Sequence, residues 1–192
     1  MTDISGVAAV EFGFLAPILI LMTFGTFEMT RAVIIHKRFQ RATAMIGDLV
    51  SREQQLGASY ADAKSALDGM MVAAQHAMAP YSSTPLEMGV YQFRANTTDA
   101  TTTRIEWSYS YNSMPVQNCA LTYSTNSLVP SNLMSPGNAA IIIDARYQYT
   151  PFLTNLLPAI VTQMTWSDTM TFSPRYGSVF YGQATQNTVC PS

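Results

Sequence analysis

Groups able to do chemistry are few in this sequence, and they do not converge on a reaction. His36 lies beside basic residues and His76 lies in a second stretch of helical pattern. Neither belongs to an HExxH arrangement or has a third ligand near it, so surface or packing roles are expected for both. Gly57-Ala58-Ser59-Tyr60-Ala61 falls short of the GxSxG of a nucleophile elbow and follows no strand pattern. Asp62, Asp68, Glu87, Glu106, Asp144 and Asp168 are scattered, and no phosphate-cradling or dinucleotide glycine pattern occurs. Cys119 and Cys190 are the two cysteines, with no CxxC and no Cys/His cluster, which argues against zinc or thioredoxin-like chemistry. In an exported chain such a pair is expected to close one disulfide, worth about 4 kcal/mol over a loop of this length in the chain-entropy model. Two unpaired buried thiols are the alternative. No catalytic residue, metal or cofactor is expected, and the chain is read as a non-enzyme.

One ionisable residue stands apart by its surroundings. Glu11 is the only charge in VAAVEFGFLAPILILMTFGTF, the run from Val7 to Phe27. At 1.5 Å per residue such a run spans about 30 Å, the hydrocarbon thickness of a bilayer, and a single segment satisfies its backbone in lipid only as a helix. Membrane lipid is therefore an expected partner. Pro17 removes one hydrogen bond of that helix and should kink or loosen it. Charged residues make up 11% of the chain, under half the ordinary share of about 25%, and the polar remainder is uncharged, as in envelope proteins. A net charge of -2 gives no basic footprint for phosphates, so nucleic acid is excluded as a partner.

The elements that must position these residues follow from periodicity. Beyond the apolar run come Arg31, Lys37, Arg38 and Arg41, yet Ile35, Phe39, Ala42, Ile46 and Leu49 recur at steps of four and three. One continuous helix is predicted from about Val7 to Arg52, membrane-embedded over 7–29 and amphipathic over 30–56. Gly57 ends that segment. Ser59 and Asp62 form a capping pair for a second helix with Ala63, Leu67, Met70, Met71, Ala74 and Met78 on one face, stopped by Pro80. The period then changes to alternation. Leu86 to Arg94 and Arg104 to Tyr111 read as strands around a loop at Asn96-Thr97-Thr98-Asp99, the second with Ile105, Trp107, Tyr109 and Tyr111 on one face. Residues 112–138 read as irregular. A strand follows at AAIIIDARYQY with Ile141, Ile143, Ala145, Tyr147 and Tyr149 together, then a short connection from Pro151 to Pro158. A last strand, Ile160 to Phe172, aligns Ile160, Met164, Trp166, Met170 and Phe172. The expected fold class is α+β: a long N-terminal helix, a second helix, and an antiparallel sheet of about four strands in a head over 57–192. The tyrosine-rich stretches 107–111 and 176–181 are either a contact surface or ordinary core and sheet surface.

Three readings compete for the N-terminus. A cleavable secretory signal needs a basic start and a small-x-small cut site, and neither is present. A plain anchor leaves Glu11 as a cost of about 2.5–3.5 kcal/mol on insertion scales. The third uses more residues: Gly6-Val7-Ala8-Ala9-Val10-Glu11-Phe12 resembles the processing site of prepilins, and FGFLAPILILMTFGTFE resembles the TadE/TadG-like family of minor pilins or pseudopilins of tight-adherence (Flp) pilus systems. The positions that carry the resemblance are Gly6, Glu11, Phe12, Pro17, Gly25 and Glu28. It implies a type IV pilin-like fold, residues 1–6 as a leader cut between Gly6 and Val7, and Glu11, Phe12, Pro17, Gly25 and Glu28 as assembly residues. It also implies a prepilin peptidase, a major Flp-type pilin, other minor pilins and an inner-membrane assembly platform as partners. The expected location is the bacterial inner membrane with the head in the periplasm, and the extracellular pilus after assembly. The family's leaders usually carry basic residues, whereas Asp3 is the only charge before Gly6. The positive-inside rule would leave the head with Arg31, Lys37, Arg38 and Arg41 in the cytoplasm. The cysteine pair and the uncharged polar head favour export.

Overall fold

A computed structural model describes residues 4–130, 133–155 and 162–182. The chain begins with helix α1, Ile4–Arg52, whose 49 residues run without a break through Pro17. From Gly6 to Phe27 nearly every side chain is exposed, and burial begins at Glu28. Beyond that point the amphipathic stripe does what its spacing predicts: Ile35, Phe39, Ala42 and Ile46 are buried. At the last position of the stripe Val50 is the buried residue, while the expected Leu49 is half-buried against the same cluster.

Helix α2, Tyr60–Met78, starts from the predicted capping box: the Asp62 amide donates to Ser59 Oγ at 3.2 Å and the Ser59 amide donates to Asp62 Oδ2 at 3.1 Å. It buries Ala63, Leu67, Met71, Ala74 and Met78, with Met70 half-buried beside them. Ala79 is extended, as the residue before a proline favours, and the helix stops there.

The sheet has five strands where the sequence suggested about four: β1 Leu86–Ala95, β2 Thr103–Tyr111, β3 Ala120–Ser124, β4 Ala139–Tyr149 and β5 Met164–Phe172, in the order β3-β2-β1-β4-β5 and antiparallel throughout. The extra strand, β3, falls inside the stretch expected to be irregular. All five of its residues are exposed, so no alternation of burial marks it in the sequence. The expected start of the last strand, Ile160, lies outside the described residues. A 3-10 turn, Phe152–Asn155, follows β4.

A second correction concerns β2. The register shifts between Gln92 and Phe93, so that Gln92 pairs with Trp107 while Phe93 pairs with Ile105, leaving Glu106 as an extra residue. This bulge turns Ile105 to the opposite face from Trp107 and Tyr109. The central strands β1, β2 and β4 are buried on both faces. On one face Met88, Val90, Trp107, Tyr109, Ile141, Ile143, Ala145, Tyr147 and Tyr149 pack with α1 and α2. On the other, Tyr91, Phe93, Ala95, Ile105, Ala140 and Ile142 are covered by Val116, Leu128, Val129 and Met134 of the long segment between β2 and β4. Gly89 lets that segment approach, since a Cβ there would stand 2.9 Å from Val116 Cγ1.

Candidate functional site

The apolar part of α1 is the most unusual surface of the molecule. Phe12, Phe14, Leu15, Ile18, Leu19, Leu21, Met22 and Phe27 are all more than half exposed. It is the one stretch, among the described residues, long and apolar enough to cross a membrane, and none of it is buried against the head. Gly6, Gly13 and Gly25 have open space where a Cβ would sit, so no packing within the chain requires a glycine at any of them. The hydroxyls of Thr23, Thr26 and Thr30 donate to the carbonyls of Leu19, Met22 and Thr26 at 2.8, 2.8 and 2.9 Å. Their polarity is thereby absorbed by the helix itself, as a lipid environment demands. Glu11 has no hydrogen bond or ion pair among the described residues, and Phe12 and Val7 project freely.

Glu28 behaves differently from the other residues of the N-terminal pattern. It is only 9% exposed, its Oε1 accepts a hydrogen bond from the Tyr149 hydroxyl, and Arg31 Nη1 lies 4.0 Å away. Burial, and next the bond to Glu28, push the Tyr149 hydroxyl well above the ordinary phenol range. Around this contact the aromatic side chains stack: Trp166 lies between Tyr149 and Tyr147 at centroid distances of 4.8 and 5.9 Å, with His36 edge-on to Trp166 at 5.0 Å. His36 thus takes the packing role expected of it, and His76 is exposed near the end of α2. Arg38 reaches across to the carbonyls of Ala77 and Ala79 and lies 5.7 Å over the Tyr81 ring. Two members of the basic cluster, Arg31 and Arg38, therefore serve the junction between helix and head, while Lys37 and Arg41 face outward. The sequence pattern singled out Glu28 but gave no sign of its partner, which arrives from 121 residues downstream.

The head carries a second polar cluster that sequence reasoning missed. Glu106, in the β2 bulge and 1% exposed, accepts from Gln92 Nε2 at 2.5 Å, Arg94 Nε at 2.5 Å and Arg104 Nη2 at 3.0 Å. Gln92 Oε1 in turn accepts from the Val179 amide at 2.6 Å, and Trp107 Nε1 donates to the Val179 carbonyl at 2.8 Å. One carboxylate here answers two guanidinium groups, and the cluster fastens the chain after β5 to the sheet. Among the described residues no three His, Cys, Asp or Glu side chains are grouped to hold a metal ion. The Trp107 to Tyr111 stretch is mainly core, with Trp107 and Tyr109 buried; of the second tyrosine group Tyr181 packs at 5.4 Å from Trp107 and Tyr176 is exposed. Cys119 precedes β3 with its sulfur 3.1 Å from the Glu106 carbonyl oxygen, and Cys190 lies outside the described residues.

No curated protein and no solved structure matches the chain. The family comparison falls on the exposed helix and its junction: residues 6–47 match the family model described as TadE-like protein, so the N-terminal helix is similar to that family over a stretch that contains Gly6, Glu11, Phe12, Pro17, Gly25 and Glu28.

Proposed function

We propose that this chain is a minor pilin or pseudopilin subunit that takes part in starting, or in capping the tip of, a tight-adherence pilus used for surface attachment. The likeness of residues 6–47 to the TadE-like family supports a place among Tad pilus-associated proteins. The observation that carries the finer reading is the division of α1: an unpacked apolar first half over 6–27, and a second half built into the head from Glu28 onward. A helix that presents apolar side chains all round, with one carboxylate near its start, suits two environments in turn, the bilayer and a bundle of like helices.

On this reading residues 7–29 hold the subunit in the bacterial inner membrane with the head in the periplasm. A prepilin peptidase cuts between Gly6 and Val7. The cut creates an ammonium group at Val7, and Glu11, one helical turn along at about 6 Å of rise, becomes its natural counter-ion in its own or a neighbouring subunit. Phe12, Pro17 and Gly25 shape the surface that leaves the bilayer for the company of the major Flp-type pilin and other minor pilins at the assembly platform. Pro17 weakens one backbone hydrogen bond where the helix must adapt.

The decisive measurement is the N-terminal mass of the protein taken from its native membrane, with and without the resident prepilin peptidase. A start at Val7 that depends on the peptidase supports the subunit reading. An intact leader in both strains leaves an uncleaved membrane-anchored envelope protein with a binding head. Glu11→Leu should insert normally and abolish piliation; pili at normal number in that strain would remove the assembly role of Glu11.

A further inference from the structure

A notch opens where the head overhangs the last turn of the apolar helix. Phe24, Phe27 and Arg31 form one wall and Phe152 the other, enclosing about 450 Å³. Phe152 opens the 3-10 turn and is 57% exposed, although Pro151 before it is buried and accepts the Thr154 amide at 3.1 Å. Phe24 and Phe27 are 45% and 62% exposed. Three phenyl rings thus face one space that none of the described residues fills, and leaving them in water is unfavourable.

Depth along the helix identifies the occupant. If residue 18 marks the middle of the span, a rise of 1.5 Å per residue puts Phe24 and Phe27 about 9 and 14 Å from the bilayer centre, inside a hydrocarbon half-thickness of about 15 Å. Arg31 then lies about 20 Å out, at the level of the headgroups. Its guanidinium is weakly matched among the described residues: Glu28 Oε1 is 4.0 Å away and already accepts from Tyr149. The Arg31 side chain keeps 35% of its surface accessible, and guanidinium binds phosphate oxygens in a bidentate fork.

We propose that this notch holds one phospholipid of the leaflet on the head's side, its phosphodiester on Arg31 and the upper part of an acyl chain between Phe24, Phe27 and Phe152. The inference rests on the membrane-spanning reading of α1 and adds a second point of attachment, on the head, that fixes the head's tilt over the bilayer. Leaving the membrane then requires the subunit to give up this lipid as well as the surroundings of its span.

The test uses the full chain in vesicles of phosphatidylcholine and phosphatidylglycerol, with bromine atoms on the upper acyl carbons of the phosphatidylcholine. Tryptophan emission is compared between the parent, Phe14→Trp as a reporter of the span, and Phe152→Trp as a reporter of the notch. The expected result is that the added emission of both variants is blue-shifted and quenched by bromine, and that Arg31→Gln in the Phe152→Trp background relieves the quenching at 152 while Arg31→Lys partly restores it. Quenching at 14 with water-like, unquenched emission at 152 overturns the lipid site and leaves the span standing. Blue-shifted but unquenched emission at 152 points to a protein occupant, such as a second copy, and overturns it equally. Quenching at 152 that ignores Arg31→Gln removes the phosphate contact and with it the site as stated. Absence of quenching at 14 defeats the spanning reading and this inference together.

Discussion

Two carboxylates buried in the head meet opposite fates. Glu106 is surrounded by donors from Gln92, Arg94 and Arg104, so its charge is fully used. Glu106→Gln would leave the two guanidinium groups facing each other without a carboxylate. A loss of about 3 kcal/mol is expected, the low end for breaking a buried pair because both arginines reach solvent; urea unfolding of the detergent-solubilised protein measures it. Asp144, 9% exposed, has only Thr169 Oγ1 at 3.4 Å as a hydrogen-bond donor among the described residues, and burial raises its carboxyl above the ordinary range despite the opposing charge of Arg146. The folded protein therefore holds that proton more tightly than the unfolded chain. Stability from this group is complete below the unfolded value near 4 and is lost as pH rises through the higher folded value. Asp144→Asn should raise Tm at pH 7, with the advantage vanishing as pH falls toward about 4. An equal Tm for variant and parent at pH 7 would refute this account.

At the scale of elements, close approach is set by glycine at one place above others. A Cβ on Gly47 would stand 1.9 Å from Phe172 Cε2, so α1 and β5 meet at their observed separation only because that side chain is missing. Gly47→Ala should destabilise the head by about 1–3 kcal/mol through forced displacement of the Phe172 ring. Gly69, on the exposed side of α2, has open space around it, and Gly69→Ala should stabilise by about 0.5–1 kcal/mol through helix propensity alone. Thermal melts of the two variants side by side separate packing from propensity, and a shift in the same direction for both would contradict the assignment. Both helices were legible in the sequence because their spacing and the Ser59/Asp62 cap are local signals. Strand β3 was not, because a fully exposed edge strand has no burial to alternate. The face of Ile105 was misjudged because alternation carries no mark of a bulge.

Across the whole molecule, the chain after β5 returns to the turn between the helices. Arg175 N donates to Ser51 O at 2.9 Å, Phe180 N to Gln54 O at 3.0 Å, and Leu56 N to Phe180 O at 3.0 Å. This return ties the C-terminal segment to both α1 and the sheet. We predict that the same segment is further fixed by a Cys119–Cys190 disulfide. The intact protein under non-reducing conditions should then be two hydrogens lighter than the reduced chain, and Cys119→Ser should lower stability by about 4 kcal/mol. Two alkylatable thiols in the native protein would exclude the bond.

What the sequence determined by itself is the order of elements apart from β3, the reach of α1, the Ser59/Asp62 cap of α2 and the α+β class, since each depends on residues within a few positions of one another. The same local reading marked Glu11 and the apolar span, because the cost of a charge in hydrocarbon is a property of the segment alone. Only the tertiary structure decided where the head takes hold of the helix. That point is Glu28, fixed by Tyr149 at the far end of β4, and no local pattern announces a partner so distant in the chain. It likewise decided that the central strands are buried on both faces and that a polar cluster around Glu106 closes the head, because strand register and the path of the covering loop arise from pairing between remote segments.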